Sequence, residues 1–387
     1  MARYDYIILG AGAAGLMMAR AMAEDSWFSS GKILIIDQDF KDQNDRTWCY
    51  WEEGTGKFDH LLSRSWEHIY FRGEKLDNKL SISPYRYKML RSADYYREQI
   101  DKIKKANHIE FLHARVEEIK EEDQVVQVKT SSKTVEGSLV LNSLFEYKSI
   151  LDQHQYPVLQ QHFIGWFVET DSPVFDQTAP VFMDFTVPQK GNTRFMYVLP
   201  FSKHKALVEY TLFSKNPLDD LEYEQAIEDY LKKNYSISEF RILEKEKGNI
   251  PMTCYDFEAK NTERIIHIGT AGGWAKPSTG YTFKNSMRNS QELIPYLKTS
   301  KSLKEFTVKT RYWYYDLLLL DILTANNELG SGIFESLFKK RKPQLILKFL
   351  DEEGTAIQDL QAITGCPMLP FTKALWARLL GGRLGAD

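Results

Sequence analysis

Gly10-Ala11-Gly12-Ala13-Ala14-Gly15 follows the apolar run Tyr6-Ile7-Ile8-Leu9 and leads into Leu16 to Ala23. Glycines at this spacing, between a buried strand and a helix, suit a dinucleotide. Gly10 permits a tight turn, Gly12 lets the backbone approach a diphosphate, and Gly15 lets the helix lie close to the sheet. Ala13 and Ala14 open the helix, whose free N–H groups and positive dipole end favour phosphate. Asp37 ends a second apolar run 22 positions after Gly15, where a carboxylate accepts from a ribose hydroxyl pair. Further along, Gly269, Gly272, Gly273 and Gly280 follow the strand-like Ile265-Ile266-His267-Ile268. They read either as close backbone approach to a cofactor or as turn glycines. Arg46 and Arg91 are candidate contacts to that cofactor, or else surface arginines. Glu209 shares one strand face with Leu207, Thr211 and Phe213. Buried there, a carboxyl holds its proton near neutral pH and can serve as an acid; facing water, it is an ordinary strand glutamate.

The elements that position these residues follow from the apolar pattern. Tyr6–Leu9 and Lys32–Asp37 are predicted strands flanking a helix. Ile109–Phe111, Val125–Lys129 and Leu139–Leu141 extend the same unit. Asn44 to Trp51 reads as a loop beside the cofactor, and Ser92 as the N-cap of a helix. Residues 151–255 change to short alternating runs. The predicted strands are Phe163–Glu169, Val181–Phe185, Arg194–Leu199 and Ala206–Phe213, most simply antiparallel. The cofactor pattern returns over 256–295, and 296–387 is helical. The expected fold is thus α/β: a three-layer Rossmann-type domain over residues 1–150 and 256–295, an inserted antiparallel sheet, and a helical C-terminal region. Asp184 falls on the face of Phe182 in this reading and is either near the pocket or a hydrogen-bonded structural group.

Composition narrows the function classes. The 387 residues carry 50 Lys and Arg against 53 Asp and Glu, which argues against a nucleic-acid binder. Three widely separated cysteines give neither a disulfide framework nor a zinc spacing, so no metal site and a reducing, cytoplasmic compartment are expected. No basic n-region precedes the first apolar run, so no secretory leader is expected, and no run reaches the roughly 20 residues of a membrane span. Aromatic residues make up 13% of the chain, which fits either a large apolar pocket or a well-filled core. Leu337 to Leu350 interleaves Lys339-Lys340-Arg341-Lys342 with apolar residues, a pattern suited to an anionic membrane surface or to a solvated helix end. Leu317 to Leu320 reads as core.

The two glycine segments and the inserted sheet look like the fold of p-hydroxybenzoate hydroxylase, and that resemblance implies FAD. More specifically, the chain resembles the bacterial lycopene β-cyclase family. The matching stretches are Gly10 to Gly15, Asp45-Arg46-Thr47-Trp48-Cys49, Gln161 to Trp166, Phe182-Met183-Asp184-Phe185, Tyr197 to Pro200, Leu207 to Thr211, Gly248 to Met252, Gly272-Gly273 through Gly280-Tyr281, and Phe349-Leu350-Asp351-Glu352. The resemblance implies cyclisation of the linear ends of lycopene to β-ionone rings without net redox change. It implies reduced FAD, with NAD(P)H as reductant, and peripheral association with the inner face of the cell membrane. It puts the acidic residue of the family's Ile/Val-Glu-x-Thr motif at Glu209. Gly269-Thr270 stands where many related flavoproteins carry Gly-Asp, and Asn142-Ser143 where many carry Asp-Gly or Asp-Ala. Other readings are a flavin monooxygenase, an isoprenoid reductase and a carotenoid- or flavin-binding protein without turnover. Ring type and oligomeric state are not legible.

Overall fold

The computed structural model describes residues 2–299 and 301–384. Strands Ile109–His113, Ile33–Asp37, Ala2–Leu9 and Thr134–Asn142 lie in that order, parallel, with Ile265–His267 added parallel to Thr134–Asn142. Val126–Thr130 and Val116–Glu121 continue the sheet antiparallel. The unbroken apolar runs noted above are buried because both faces of this sheet are covered. One face packs on helices Ala13–Glu24, Ser92–Ile103 and Phe283–Leu297 through Ile8, Leu16, Met18, Ile35 and Leu293. The other holds a second apolar cluster of Ile7, Leu9, Leu34, Ile36, Val128 and Val140.

A second sheet has seven strands in the order Arg241–Thr253, Val158–Glu169, Lys205–Ser214, Thr193–Pro200, Val181–Asp184, His68–Arg72 and Asp77–Ser81. The first five are antiparallel neighbours, and His68–Arg72 joins Val181–Asp184 in parallel. Two of its strands therefore come from the first 150 residues. Its faces are distinct: Ile164, Trp166, Val208 and Tyr210 pack under helix Asp220–Tyr235, while Phe167, Leu207 and Phe213 face the other way. The C-terminal helices Arg311–Ala325, Leu329–Lys340 and Pro343–Leu350 close that second face with Leu317, Leu320, Phe334, Leu337 and Ile346. Helices Ala356–Ile363 and Met368–Leu379 complete the described chain.

Three local readings differ from the sequence pattern. Thr47–Glu53 is a strand rather than a loop, because it pairs antiparallel along the whole of Tyr85–Arg91. Ser92 is the first residue of its helix, not the cap. Its hydroxyl accepts from the backbone N–H groups of Asp45 and Arg46 and so ties that strand's entrance to the helix. Phe182 and Asp184 face opposite ways, because the pairing slips between Val181 and Asp184. Asp184 turns to helix Asp220–Tyr235, where its carboxylate accepts from Tyr230 Oη at 2.7 Å, and from Thr186 N at 2.9 Å and Thr186 Oγ1 at 2.6 Å. It is a structural group.

Candidate active site

A cavity of about 520 Å³ runs between the two sheets, a volume usual for a small-molecule site. At one end it is lined by Gly12, Ala13 and Ala14, with Gly269 and Thr270 beside them. At the other lie Glu209, Glu246 and the aromatic side chains Phe163, Tyr197 and Tyr281. Arg46, Trp48 and Gly280 also line it. Seven of the thirteen residues singled out from the sequence therefore meet in one space: Gly12, Ala13, Ala14, Arg46, Glu209, Gly269 and Gly280.

The remaining six lie outside the lining. Gly10 takes φ +91°, and a Cβ on Gly15 would stand 2.0 Å from the Gly10 carbonyl oxygen. These two glycines let strand, turn and helix close on one another. Asp37 accepts from Ala11 N at 2.5 Å and from Asp39 N at 2.8 Å, which holds its carboxylate against the glycine turn. Arg91 is paired with Glu244 rather than lining the cavity. Its Nη2 donates to both carboxylate oxygens of Glu244 at 2.6 Å, and its guanidinium lies 4.4 Å from the Phe167 ring centre. Gly272 and Gly273 meet the protein's own groups instead of the cavity: a Cβ would reach the His267 carbonyl oxygen at 2.2 Å and Phe257 at 2.8 Å.

The glycine turn has room for a diphosphate. A Cβ added at Gly12 would find nothing within 4 Å. The helix beginning at Ala13 has no side-chain cap on its first N–H groups, so those donors remain for a ligand. These features fit a dinucleotide, and the cavity continues from them toward the carboxyls.

The acidic end is built by sheet register. Tyr197, Glu209, Gly165 and Glu246 form one row across four neighbouring strands. Rows on the same face supply Leu199 and Leu207, then Phe163 and Gly248. Glu209 is only 9% exposed, so it is not a solvent-facing strand residue. Thr211 Oγ1 donates to Glu209 Oε1 at 2.6 Å, and Thr47 Oγ1 to Glu246 Oε2 at 2.8 Å. The two side chains flank Gly165, where a Cβ would stand 3.2 Å from Glu246 Cγ and 3.4 Å from Glu209 Cβ. Burial raises the pKa of Glu209, and the neighbouring charge of Glu246 raises it further. Burial raises Glu246 as well, opposed by its bond from Thr47 and by the charges of Arg91 and Arg46. Burial likewise raises Tyr87 and Tyr197 far above the usual phenol range, so these walls stay neutral.

Residues 5–376 match the lycopene cyclase protein family. The chain belongs to that family. Lycopene beta-cyclase of Paracoccus sp. is 34% identical over 128 residues, a match covering 32% of each chain. Lycopene beta-cyclase of Pseudescherichia vulneris is 21% identical over 97% of both chains. In fold, this lycopene cyclase family member is similar to a geranylgeranyl bacteriochlorophyll reductase-like protein of Thermoplasma acidophilum (TM-score 0.61, 12% identity, 97% and 99% of the chains covered). It is also similar to a variant of the halogenase PltM in complex with FAD (TM-score 0.58, 12% identity, 99% and 88% covered).

Sequence reasoning on this lycopene cyclase family member missed Glu246 and the role of Gly165. Glu246 lies in Leu243-Glu244-Lys245-Glu246-Lys247, which has the look of a solvated strand. The available signal was its place two residues before the Gly248 to Met252 stretch.

Proposed function

We propose that this chain is an FAD-dependent lycopene β-cyclase, closing the linear ends of lycopene to β-ionone rings without net redox change. The observation that carries the reading is a buried carboxyl, Glu209, at the aromatic end of a cavity that begins at an open glycine turn. Gly12, Ala13 and Ala14 hold the diphosphate of FAD, and Asp37 its ribose, with NAD(P)H as the source of electrons. When bound and reduced, FAD supplies negative charge near the cavity. The chain's own residues do the rest. Glu209 hands a proton to the terminal double bond, and the next double bond attacks the tertiary cation to close a six-membered ring. Phe163, Tyr197 and Tyr281 give the cation aromatic faces, each worth about 0.5–2 kcal/mol. Phe163, Leu199 and Leu207 give that end an apolar lining, and the chemistry requires that water, which would trap the cation as an alcohol, be kept from it. Proton loss from the ring ends the sequence.

The test is anaerobic incubation with lycopene and dithionite-reduced FAD. Wild type gives a product of unchanged mass with β-rings. Glu209→Gln keeps its flavin but loses cyclisation. A gain of hydrogen assigns a reductase instead, a gain of oxygen a monooxygenase, and no conversion a binding protein.

A polyene substrate also calls for contact with a bilayer, and we place that contact on the last two helices. Leu337, Phe338, Ile346 and Leu347 are core residues, so the apolar part of the Leu337 to Leu350 stretch is not free to insert. Ile357, Leu360, Met368, Leu369, Trp376, Leu379 and Leu380 are exposed. Lys339, Lys340 and Lys342 are exposed beside them, linked through Arg341, which donates to Thr364 Oγ1 at 2.9 Å. Cations next to exposed aliphatic and Trp side chains suit an anionic interface. Among the described residues no helix is long and apolar enough to cross a membrane. Leu369→Glu with Trp376→Glu abolishes flotation with phosphatidylglycerol vesicles; unchanged flotation refutes this placement.

A further inference from the structure

We infer that Glu209 and Glu246 act as one pair sharing a single proton, with Glu246 as the base that takes the ring proton and returns it to Glu209. This rests on the cyclase reading. Strands in a sheet are about 4.8 Å apart, so residues two strands apart are roughly 10 Å apart at the backbone. Glu209 and Glu246 are separated in this way by Gly165. Because Gly165 has no side chain, the two stems lean across it. A Cβ there would stand 3.2 Å from Glu246 Cγ and 3.4 Å from Glu209 Cβ. The two carboxyls thus stand on either side of Gly165 in one cavity, and two carboxylates held so near each other repel unless one of them keeps a proton.

The surroundings divide the roles. Arg46 and Arg91 lie on the Glu246 side and favour its anion, partly offset by Glu244. At Glu209 burial and the charge of Glu246 both favour the protonated form. Cys49 and Tyr197 also face the pair, both held neutral by burial. Lys41, Asp45 and Lys247 line the same cavity. The resting pair is therefore Glu209 as acid and Glu246 as carboxylate.

The atoms balance. The terminal alkene's π pair takes the Glu209 proton to make a C–H bond and a tertiary cation. The π pair of the next alkene forms the ring C–C bond and moves the cation into the ring. Glu246 removes a proton from the adjacent ring carbon, and that C–H pair becomes the ring double bond. The proton then passes from Glu246 to Glu209 across the gap that Gly165 leaves between them. No electrons leave, the pair is restored, and substrate and product are isomers.

The experiment compares flavin-loaded wild type, Glu246→Gln, Glu246→Asp and Glu209→Gln. In Glu246→Gln, flavin absorbance and circular dichroism stay as in wild type. Its kcat falls about 100-fold or more with little change in KM, and the alkaline limb of the wild-type pH profile moves. Glu246→Asp recovers part of the rate. Infrared difference spectra of wild type minus Glu209→Gln show a carboxylic acid carbonyl band at neutral pH, and Glu246→Gln shifts that band. Wild-type turnover and pH profile in Glu246→Gln overturn the base role. Absence of the acid band in wild type overturns the shared proton. A wild type that shows the band but does not cyclise lycopene removes the cyclase reading and the base role while the proton-sharing pair stands.

Discussion

The spacing of the two carboxyls depends on a hydrogen atom at Gly165, and Gly165→Ala tests it. The residue has no left-handed backbone, so alanine can adopt its conformation. The added methyl would lie 2.8 Å from Leu207 Cδ1, 3.2 Å from Glu246 Cγ and 3.4 Å from Glu209 Cβ. Leu207 Cδ1 is the end of a flexible side chain and can swing aside. The two glutamate stems start from the strands on either side of Gly165 and have less freedom, so they yield by spreading. Overpacking costs about 1–3 kcal/mol, offset by about 0.4–1 kcal/mol from the stiffer unfolded chain. The net loss is ~1 kcal/mol, which moves the melting temperature by only ~1–2 °C in a chain of 387 residues. The chemical effect is larger. A methyl between the two stems spreads the carboxyls and displaces the acid from the alkene, and positioned proton transfer is worth about 10²–10⁴ in rate. Gly165→Ala is therefore expected to melt near wild type, retain its flavin, and cyclise lycopene at least ~100-fold more slowly in an anaerobic product assay. A folded, flavin-loaded Gly165→Ala protein that turns over within ~3-fold of wild type refutes the spacing argument, because that change is under 1 kcal/mol of barrier.

Two glycines of the turn separate folding from binding. Gly12→Val leaves the melting of the flavin-free protein unchanged, since the site around Gly12 is open, but abolishes retention of yellow flavin through gel filtration. Gly15→Ala forces a methyl to within 2.0 Å of a backbone oxygen and lowers the melting temperature whether or not flavin is added. His162 is held neutral, its pKa lowered to about 4 first by burial and then by Arg194. Between pH ~6.5 and 4 the unfolded chain binds a proton that the folded chain refuses, so stability falls with pH by up to ~3 kcal/mol. The urea midpoint of wild type, taken relative to that of His162→Gln, therefore falls as the pH is lowered across that window. Asp184→Ala strands the Tyr230 and Thr186 donors and removes one of the two carboxylates beside Arg72, 3.7 Å away, leaving it Asp77 at 3.2 Å. It costs ~3 kcal/mol in urea unfolding while flavin affinity stays as in wild type.

What the sequence made legible was encoded in one continuous segment. Tyr6 to Asp37 holds strand, turn, helix, strand and acid within about thirty residues, and each part has a local signature: an unbroken apolar run, a glycine spacing, a terminal carboxylate. The alternation of Lys205–Ser214 likewise put Leu207, Glu209, Thr211 and Phe213 on one face, and Leu207 and Phe213 do share a cluster. Other features depend on partners far away in the chain. Asn44 to Trp51 has no strand pattern of its own and becomes one by pairing with Tyr85–Arg91. Asp184 left the face of Phe182 through a slip in pairing that no residue type announces. Glu246 is the sharpest case. Glu244 and Glu246 alternate with Lys245 and Lys247, a run that looks solvated on both faces. One face is half-buried and turned to the cavity only because Arg241–Thr253 pairs with Val158–Glu169 in the register that sets Glu246 against Gly165. A shift of one residue would turn both glutamates to the opposite face. The carboxyl pair therefore depends on a long-range alignment, and the small residue that permits it looks, in sequence, like any other glycine.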